Sequence, residues 1–195
     1  MLEYLLIILA VAIFGVQHSG LSALRVKNRI IDRFGKEGYA KIFNITSIVT
    51  FGLAFLSMWY WDWFYFLTSP ELIQPLLFIS GVILLIAGVA VTIAASRVIS
   101  VSTVADMRTD RMPELITDGI YARVRHPLYL ATLLLFVALM VIYPFPQVII
   151  FSLSLSVYIL IGAYLEEVKL IDHYGQSYLE YRKQAGFLLP HIRKG

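Results

Sequence analysis

Residues 127–167, "PLYLATLLLFVALMVIYPFPQVIIFSLSLSVYILIGAYLEE", are the stretch of this chain that decides its fold. They contain two apolar runs, at about 128–143 and 147–165, separated only by "YPFPQ". About 20 apolar residues in a helix cross the hydrocarbon core of a membrane, and the two prolines predict a tight turn. The stretch therefore predicts a helical hairpin, in which the start of the first helix lies beside the end of the second.

The rest of the chain extends this membrane character. Of its 195 residues, 59% are hydrophobic and only 15% are charged, a composition typical of an integral membrane protein. Three further apolar runs, at about 2–16, 42–67 and 73–95, bring the predicted spans to five. The first run has no basic region or cleavage site and is expected to be a retained span. The sequence predicts an all-α membrane protein with one domain over residues 1–195.

The basic residues predict the orientation of the spans. All 16 lysines and arginines fall in residues 18–41, 97–127 and 166–195, and five spans place these three segments on one side. Cytoplasmic loops are enriched in Lys and Arg, so the N-terminus is expected outside and the C-terminus inside. Contact with anionic lipid then explains the net charge of +3, and no nucleic-acid partner is expected.

Two features of the early spans indicate packing and anchoring. The aromatic segment 59–66, "WYWDWFYF", is typical of a membrane-interface anchor. Small residues in the third run, among them Gly81 and Gly88, predict close approach to another helix.

A polar cluster lies at the entrance of the hairpin. Pro127 suits the first turn of a helix, which places Arg125 and His126 at the membrane boundary. One interpretation is that Arg123 and Arg125 reach lipid phosphates while His126 caps the helix. The alternative is half of a polar binding pocket.

The end of the hairpin favours the pocket. Glu166 and Glu167 close the second apolar run, and the hairpin brings them towards Arg125 and His126. A lipid anchor has no need of carboxylates, whereas a pocket for a zwitterionic cofactor uses charges of both signs. Beyond them, apolar and aromatic residues recur at helical spacing and predict a C-terminal amphipathic helix on the membrane surface: Leu170, Tyr174, Tyr178 and Tyr181.

Both halves of this cluster resemble one protein superfamily. "GIYARVRHPLY", residues 119–129, resembles the GxYxxxRHPxY signature of the isoprenylcysteine carboxyl methyltransferase and phospholipid methyltransferase superfamily. Glu166, Glu167 and the following "YGQSYLEYRKQAGFLLP" resemble its EExxLxxxFGxxYxxYxxxxxxxxP tail. The tail departs from the pattern at Tyr174, usually Phe, and in "AGFLLP", which replaces a basic-and-proline ending. The resemblance covers about residues 115–190.

The resemblance implies a membrane methyltransferase that uses S-adenosylmethionine. Carried over by position, it implies catalytic roles for Arg125 and Glu167. It implies cofactor contacts from Leu115, Ile116, Gly119, Tyr121, Arg125, His126, Tyr129, Glu166 and Glu167. The four histidines do not have the spacing of metal ligands. The sequence also contains no GxGxxG loop after a predicted strand, so a Rossmann-type cofactor site is not expected.

The N-terminal half resembles one branch of this superfamily. "QHSGLSALRVKNRI" and "GYAKIFNITS" are similar to segments of methanethiol S-methyltransferases and of a nitrite-reductase-associated membrane protein. This resemblance implies that His18, with Ser19, handles the methyl acceptor and acts in catalysis. A plain hydrogen bond at the end of a helix is the alternative.

The sequence thus predicts methyl transfer to a lipophilic or small acceptor, an isoprenylcysteine-like carboxylate or a thiol. The reaction is expected at the cytoplasmic boundary of a prokaryotic inner membrane, although an endoplasmic reticulum protein would look similar. Phosphatidylethanolamine N-methylation and a non-catalytic assembly factor are the alternatives. Membrane lipid and the acceptor are the expected partners. The general base and the oligomeric state stay open.

Overall fold

A computed structural model describes residues 1–98 and 115–190. Within these ranges the chain is helical and forms no strand, which confirms the all-α prediction. The helices are α1 (Leu2–Ser22), α2 (Leu24–Leu56), α3 (Tyr65–Thr68), α4 (Pro75–Ser96), α5 (Pro127–Ile142), α6 (Pro146–Tyr174) and α7 (Gln176–Gln184). Two short 3-10 turns, Pro70–Leu72 and Gly119–Ala122, are also present.

Among residues 1–98 and 115–190, four helices, α1, α2, α4 and α6, are long and apolar enough to cross a membrane. Helix α5 is apolar but has 16 residues, about 24 Å of rise against a hydrocarbon core of about 30 Å. The long helices carry large apolar side chains on their outer surfaces, such as Val16 and Leu76, which are 75% and 81% exposed. These surfaces are those of an integral membrane protein. The count of five spans and their orientation stay predictions.

Helix α2 differs most from its predicted bounds, because it begins at Leu24 and ends at Leu56 instead of covering residues 42–67. Its polar first part was expected to be a loop, yet it is helical and buries Lys27 and Ile31. A hydropathy window detects lipid contact and misses an amphipathic helix of this kind. Gly35, with φ 71°, interrupts the helix geometry where the polar part ends. A left-handed φ of this kind favours glycine.

The first compact unit contains Met1–Gln74 and Tyr143–Tyr158. In this unit the aromatic segment packs against its surroundings: Trp63 stacks on Phe55 at 5.3 Å between ring centroids. The Tyr143 hydroxyl donates to the Trp63 carbonyl at 2.9 Å. Trp59 and Trp61 of the same segment remain exposed. The segment thus has both packed and exposed rings, and its place at a membrane interface stays a prediction.

The second unit contains the described residues of Pro75–Ile142 and Ile159–Gly195. Helices α4 and α5 pack closely here, because a Cβ atom on Gly81 would lie 2.6 Å from Ile142 Cγ1. One on Gly88 would lie 2.9 Å from Leu135 Cδ2. The predicted close packing through small residues is therefore confirmed.

The C-terminal part of the second unit is not one continuous surface helix. Helix α6 continues to Tyr174, and Gly175 with φ +55° separates it from α7. Tyr178 and Tyr181 are buried in a core with Ala185. The prediction of a single surface helix from Leu170 to Tyr181 was wrong. The spacing of its apolar residues reflects a face that is buried, and it gives no sign of the break at Gly175.

Candidate functional site

Arg125 and Glu167 form the centre of the candidate site. Arg125 Nη2 donates to Glu167 Oε1 at 2.9 Å and lies 3.2 Å from Oε2. Both side chains are more than nine-tenths buried. Arg125 Nη1 also donates to the Ala185 carbonyl. A buried charge of this kind is stable only when its partners are in place, so the pair fixes the end of α6 beside the entrance of α5.

His126 binds the same carboxylate. Its Nε2 lies 3.1 Å from Glu167 Oε2, and the residue is only 4% exposed. Burial lowers the pKa of His126, an effect opposed by the hydrogen bond that the ring donates to Glu167. The ring is therefore neutral near pH 7. Since the carboxylate only accepts, we assign the ring proton to Nε2, which leaves Nδ1 as an acceptor.

Arg182 of α7 is a second cation on Glu167, with Nε 3.1 Å from Oε1. Its side chain is 43% exposed, in contrast to that of Arg125. With His126 neutral, two guanidinium groups face one carboxylate. The cluster therefore carries one excess positive charge, which suits an anionic group on a ligand.

The C-terminal segment after α7 pairs with the entrance of α5 through backbone groups. Arg125 N–H donates to the Gly186 carbonyl at 2.8 Å, and Gly186 N–H donates to the Arg123 carbonyl at 3.0 Å. His126 N–H reaches the Phe187 carbonyl at 3.2 Å, and the Phe187 ring meets the His126 ring edge to face. The unusual "AGF" of the tail therefore lies directly on the cluster.

The remaining predicted cofactor residues lie around this centre. Tyr121 is buried and accepts a hydrogen bond on its carbonyl from the Tyr181 hydroxyl at 2.6 Å. Tyr129 meets His126 edge to face at 5.6 Å between ring centroids. Leu115 packs against the Tyr178 core, Ile116 is half-buried, and Gly119 has φ +59°.

Glu166 does not share the contacts of Glu167. Its ion pair is with Lys169 on the same helix at 3.9 Å, and its side chain is 30% exposed. Successive residues on a helix point about 100° apart, so two adjacent carboxylates do not serve one cluster. The predicted cofactor role of Glu166 stays a prediction, while the predicted meeting of Arg125, His126 and Glu167 is present in the structure.

His18 belongs to the first unit, where its Nδ1 lies 3.1 Å from Ser47 Oγ. Its ring packs between Phe14 and Phe43. Ser19 Oγ lies 3.0 Å from the Tyr158 hydroxyl. These contacts match the alternative of hydrogen bonds at a helix end, and the predicted catalytic role of His18 stays untested.

Sequence reasoning did not assign Arg182, Ala185 or Tyr178 to the site. Arg182 follows directly on the "YLEY" of the tail motif, one turn after Tyr178, which is the signal that was available. Ala185 acts through its carbonyl, and a backbone contact of this kind leaves no residue-type signal.

The residues present fit a zwitterionic cofactor such as S-adenosylmethionine. The excess positive charge suits its carboxylate. The neutral Nδ1 of His126 is able to accept a hydrogen bond from a ligand. Glu167 already accepts hydrogen bonds from Arg125 and His126 and forms an ion pair with Arg182, so it acts by holding these side chains in place.

Comparison with known proteins gives a consistent family match. The model of the family described as phospholipid methyltransferase matches residues 76–177. Methanethiol S-methyltransferase of Pseudomonas deceptionensis is 38% identical over 82 residues, 40% of this chain and 29% of the relative. Methanethiol S-methyltransferase 1 of Bradyrhizobium diazoefficiens is 26% identical over 193 residues, 94% of this chain and 65% of the relative.

A relative with another acceptor also matches. Protein-S-isoprenylcysteine O-methyltransferase of Schizosaccharomyces pombe is 37% identical over 79 residues, 40% of this chain and 34% of the relative. The chain spans less than two thirds of the length of each of these relatives. No solved structure gives a significant match. The resemblance to this superfamily and to its methanethiol branch is confirmed.

Proposed function

We propose that this chain, which belongs to the phospholipid methyltransferase family, is an integral membrane methyltransferase dependent on S-adenosylmethionine. The observation that carries the proposal is the convergence of Arg125, His126 and Arg182 on the one carboxylate of Glu167. Three of these four residues lie in the part of the chain that matches the family model. A purely structural ion pair would need neither the buried neutral histidine nor the second arginine.

The residues of the cluster bind the cofactor and orient it for methyl transfer. When bound, S-adenosylmethionine supplies a methyl group on a sulfonium sulfur, which leaves as a neutral thioether. Methyl transfer of this kind depends mainly on positioning, so the chain contributes a fixed polar frame. Glu167 holds Arg125 and His126 in one geometry, and the carbonyl of Ala185 holds the far side of Arg125. Tyr129 and Phe187 provide apolar walls on either side of the His126 ring.

We propose a small thiol as the acceptor. The support is the methanethiol S-methyltransferase of Bradyrhizobium diazoefficiens, which aligns with 94% of this chain and so includes the His18 region. A thiol reacts as its thiolate, and solvent at the boundary of the membrane is sufficient to take its proton.

We place the site at the cytoplasmic boundary of a prokaryotic inner membrane. The support is the confinement of all 16 basic residues to three segments, two of which contain the residues of the cluster. The five-span, N-out topology belongs to this proposal.

A panel of methyl acceptors tests the function. The purified protein is incubated with methyl-labelled S-adenosylmethionine and, separately, methanethiol, ethanethiol, a farnesylcysteine and phosphatidylethanolamine vesicles. Labelled thioether from the short thiols is the expected product, and Glu167→Gln should abolish it. The matched control is Glu180→Gln, which alters an exposed carboxylate paired with Lys183 and should keep full activity. Label on farnesylcysteine or phosphatidylethanolamine alone would show that the proposed acceptor is wrong. Label on none of the acceptors would refute the proposal that the protein is a methyltransferase.

A further inference from the structure

The first part of α2, residues 24–34, is a short basic helix between two long apolar helices. The extended backbone of Ala23 separates it from α1, and the left-handed Gly35 separates it from the apolar rest of α2. Helix α1 has 21 residues, and the part of α2 after Gly35 has a similar length. Helices of this length rise about 31 Å, enough to cross the hydrocarbon core. Residues 24–34, here called the basic segment, therefore connect two helices of spanning length and belong at a membrane boundary.

Three arginines form one stripe on the exposed side of the basic segment. Arg25, Arg29 and Arg33 follow one another at a spacing of four residues, so they lie within about 80° of one another around the helix axis. All three are exposed. Within residues 1–98 and 115–190, their guanidinium groups have no ion pair or hydrogen bond. The stripe therefore presents positive charge that the described part of the protein does not use.

An apolar stripe lies beside the arginines. Val26, Ile30 and Phe34 each follow an arginine by one position, so this second stripe is displaced from the first by about 100°. Val26 is 39% exposed and Phe34 is 55% exposed, while Ile30 is half-buried. The next face holds Lys27 and Ile31, which are buried against the protein. An exposed apolar stripe thus lies between the buried face and the arginines.

This arrangement matches the boundary of a lipid leaflet. A helix in the membrane interface places apolar side chains at the acyl boundary, while long basic side chains reach the headgroups. A guanidinium fits two oxygens of a phosphate. The exposed arginines outnumber the one carboxylate of the segment, Asp32, so the surface favours anionic headgroups. A soluble anion would leave Val26 and Phe34 in water, whereas a lipid covers them.

We propose that the basic segment is a docking surface for anionic phospholipids. Arg25, Arg29 and Arg33 bind the phosphate groups, and Val26 and Phe34 lie among the upper parts of the acyl chains. The proposal narrows the lipid contact expected from the net charge to one face of one helix. It gives the first unit a preference for an anionic leaflet, and it does not depend on methyl transfer.

Lipid binding by the full chain tests the proposal. The protein is purified in a nonionic detergent and titrated with phosphatidylglycerol or phosphatidylcholine, and bound lipids are counted by native mass spectrometry. One basic side chain at an anionic surface strengthens binding about fivefold. The wild type should therefore prefer phosphatidylglycerol about tenfold or more. Arg25→Gln/Arg29→Gln should lose about tenfold or more in affinity for phosphatidylglycerol and keep that for phosphatidylcholine.

Two controls separate this surface from charge in general. Lys169→Gln/Lys183→Gln removes two exposed charges from the second unit and should bind phosphatidylglycerol as the wild type does. Arg25→Lys/Arg29→Lys keeps the charge and should retain most of the preference, although an ammonium does not fit a phosphate through two parallel hydrogen bonds. All of these side chains are exposed, so the folded variants should melt with the wild type.

Three results would overturn the proposal: an unchanged lipid preference in Arg25→Gln/Arg29→Gln, an equal loss in Lys169→Gln/Lys183→Gln, or displacement of phosphatidylglycerol by millimolar inorganic phosphate. The last result would identify a site for a free anion. If the double arginine variant does not fold, Arg25→Gln and Arg29→Gln singly decide the question, each with an expected loss of about fivefold. Failure here leaves the proposed function intact, because none of these measurements uses S-adenosylmethionine.

Discussion

Arg125 and Glu167, 42 positions apart in the sequence, meet through two guanidinium nitrogens and both carboxylate oxygens. Nη2 lies 2.9 Å from Oε1 and 3.2 Å from Oε2, and Nε lies 3.4 Å from Oε2. The pair joins the entrance of α5 to the end of α6. A lipid-anchored arginine would instead be exposed at the membrane surface. Arg125 is buried and fully engaged, whereas its neighbour Arg123 is exposed. Arg125 therefore holds α5 and α6 together through Glu167, whereas Arg123 remains at the surface.

Arg125→Lys should lower the free energy of unfolding by about 2–3 kcal/mol, because an ammonium cannot hold Glu167 and Ala185 at once. Apparent melting temperature in detergent, followed by the intrinsic fluorescence of the three tryptophans, is the measurement. Arg123→Lys is the matched control and should melt with the wild type. Equal melting of both variants would show that Arg125 is only a lipid contact.

The acid sensitivity of the fold should depend on His126. Burial lowers its pKa in the folded protein, so the unfolded chain binds the proton more readily. The stability contributed by the neutral ring is complete above about pH 6.5, the ordinary value for histidine, and is lost as the pH falls below it. His126→Gln retains a donor to Glu167 and does not titrate.

Melting temperature measured against pH tests this expectation. The wild type should lose stability more steeply than His126→Gln between about pH 6.5 and pH 5. Parallel curves for the two proteins would contradict the assignment of a buried neutral ring.

Close packing of α4 on α5 should make Gly81 intolerant of a side chain. Gly81→Ala places a Cβ 2.6 Å from Ile142 Cγ1 and 3.3 Å from the Ala138 carbonyl, and overpacking of this kind costs about 1–3 kcal/mol. Gly52→Ala on α2, where nothing lies within 4 Å, is the matched control and should be neutral or slightly stabilising. Melting temperatures compare the two, and an unchanged Gly81→Ala protein would refute the close contact.

The sequence alone predicted the meeting of Arg125, His126 and Glu167. It did so because hydropathy identifies both helices and the proline turn between them makes them antiparallel neighbours, with the start of one beside the end of the other. The same reasoning failed where neither signal applies. The polar start of α2 is helical through amphipathic packing, which hydropathy does not detect. The pairing of Arg125 with Gly186 uses backbone groups 61 positions apart, and backbone groups are the same in every residue type.

The direction of side chains was the other feature that could not be predicted from the sequence. Glu166 and Glu167 are equivalent in a motif, yet the helix separates them by about 100°. Only Glu167 reaches the cluster, while Glu166 pairs with Lys169. Similarly, Tyr178 and Tyr181 were interpreted as one face of a surface helix, and their burial in a core with Ala185 emerges only from the packing of α7.

Binding of S-adenosylmethionine by the purified protein tests the central claim most directly. Equilibrium dialysis of labelled cofactor should show saturable binding to the wild type and to Glu180→Gln. Binding to Glu167→Gln should be at least tenfold weaker, because an amide has only one acceptor oxygen and no longer holds both Arg125 and His126 in place. Saturable binding that survives in Glu167→Gln, or no binding to a folded wild type, would contradict the assignment of this cluster as the cofactor site.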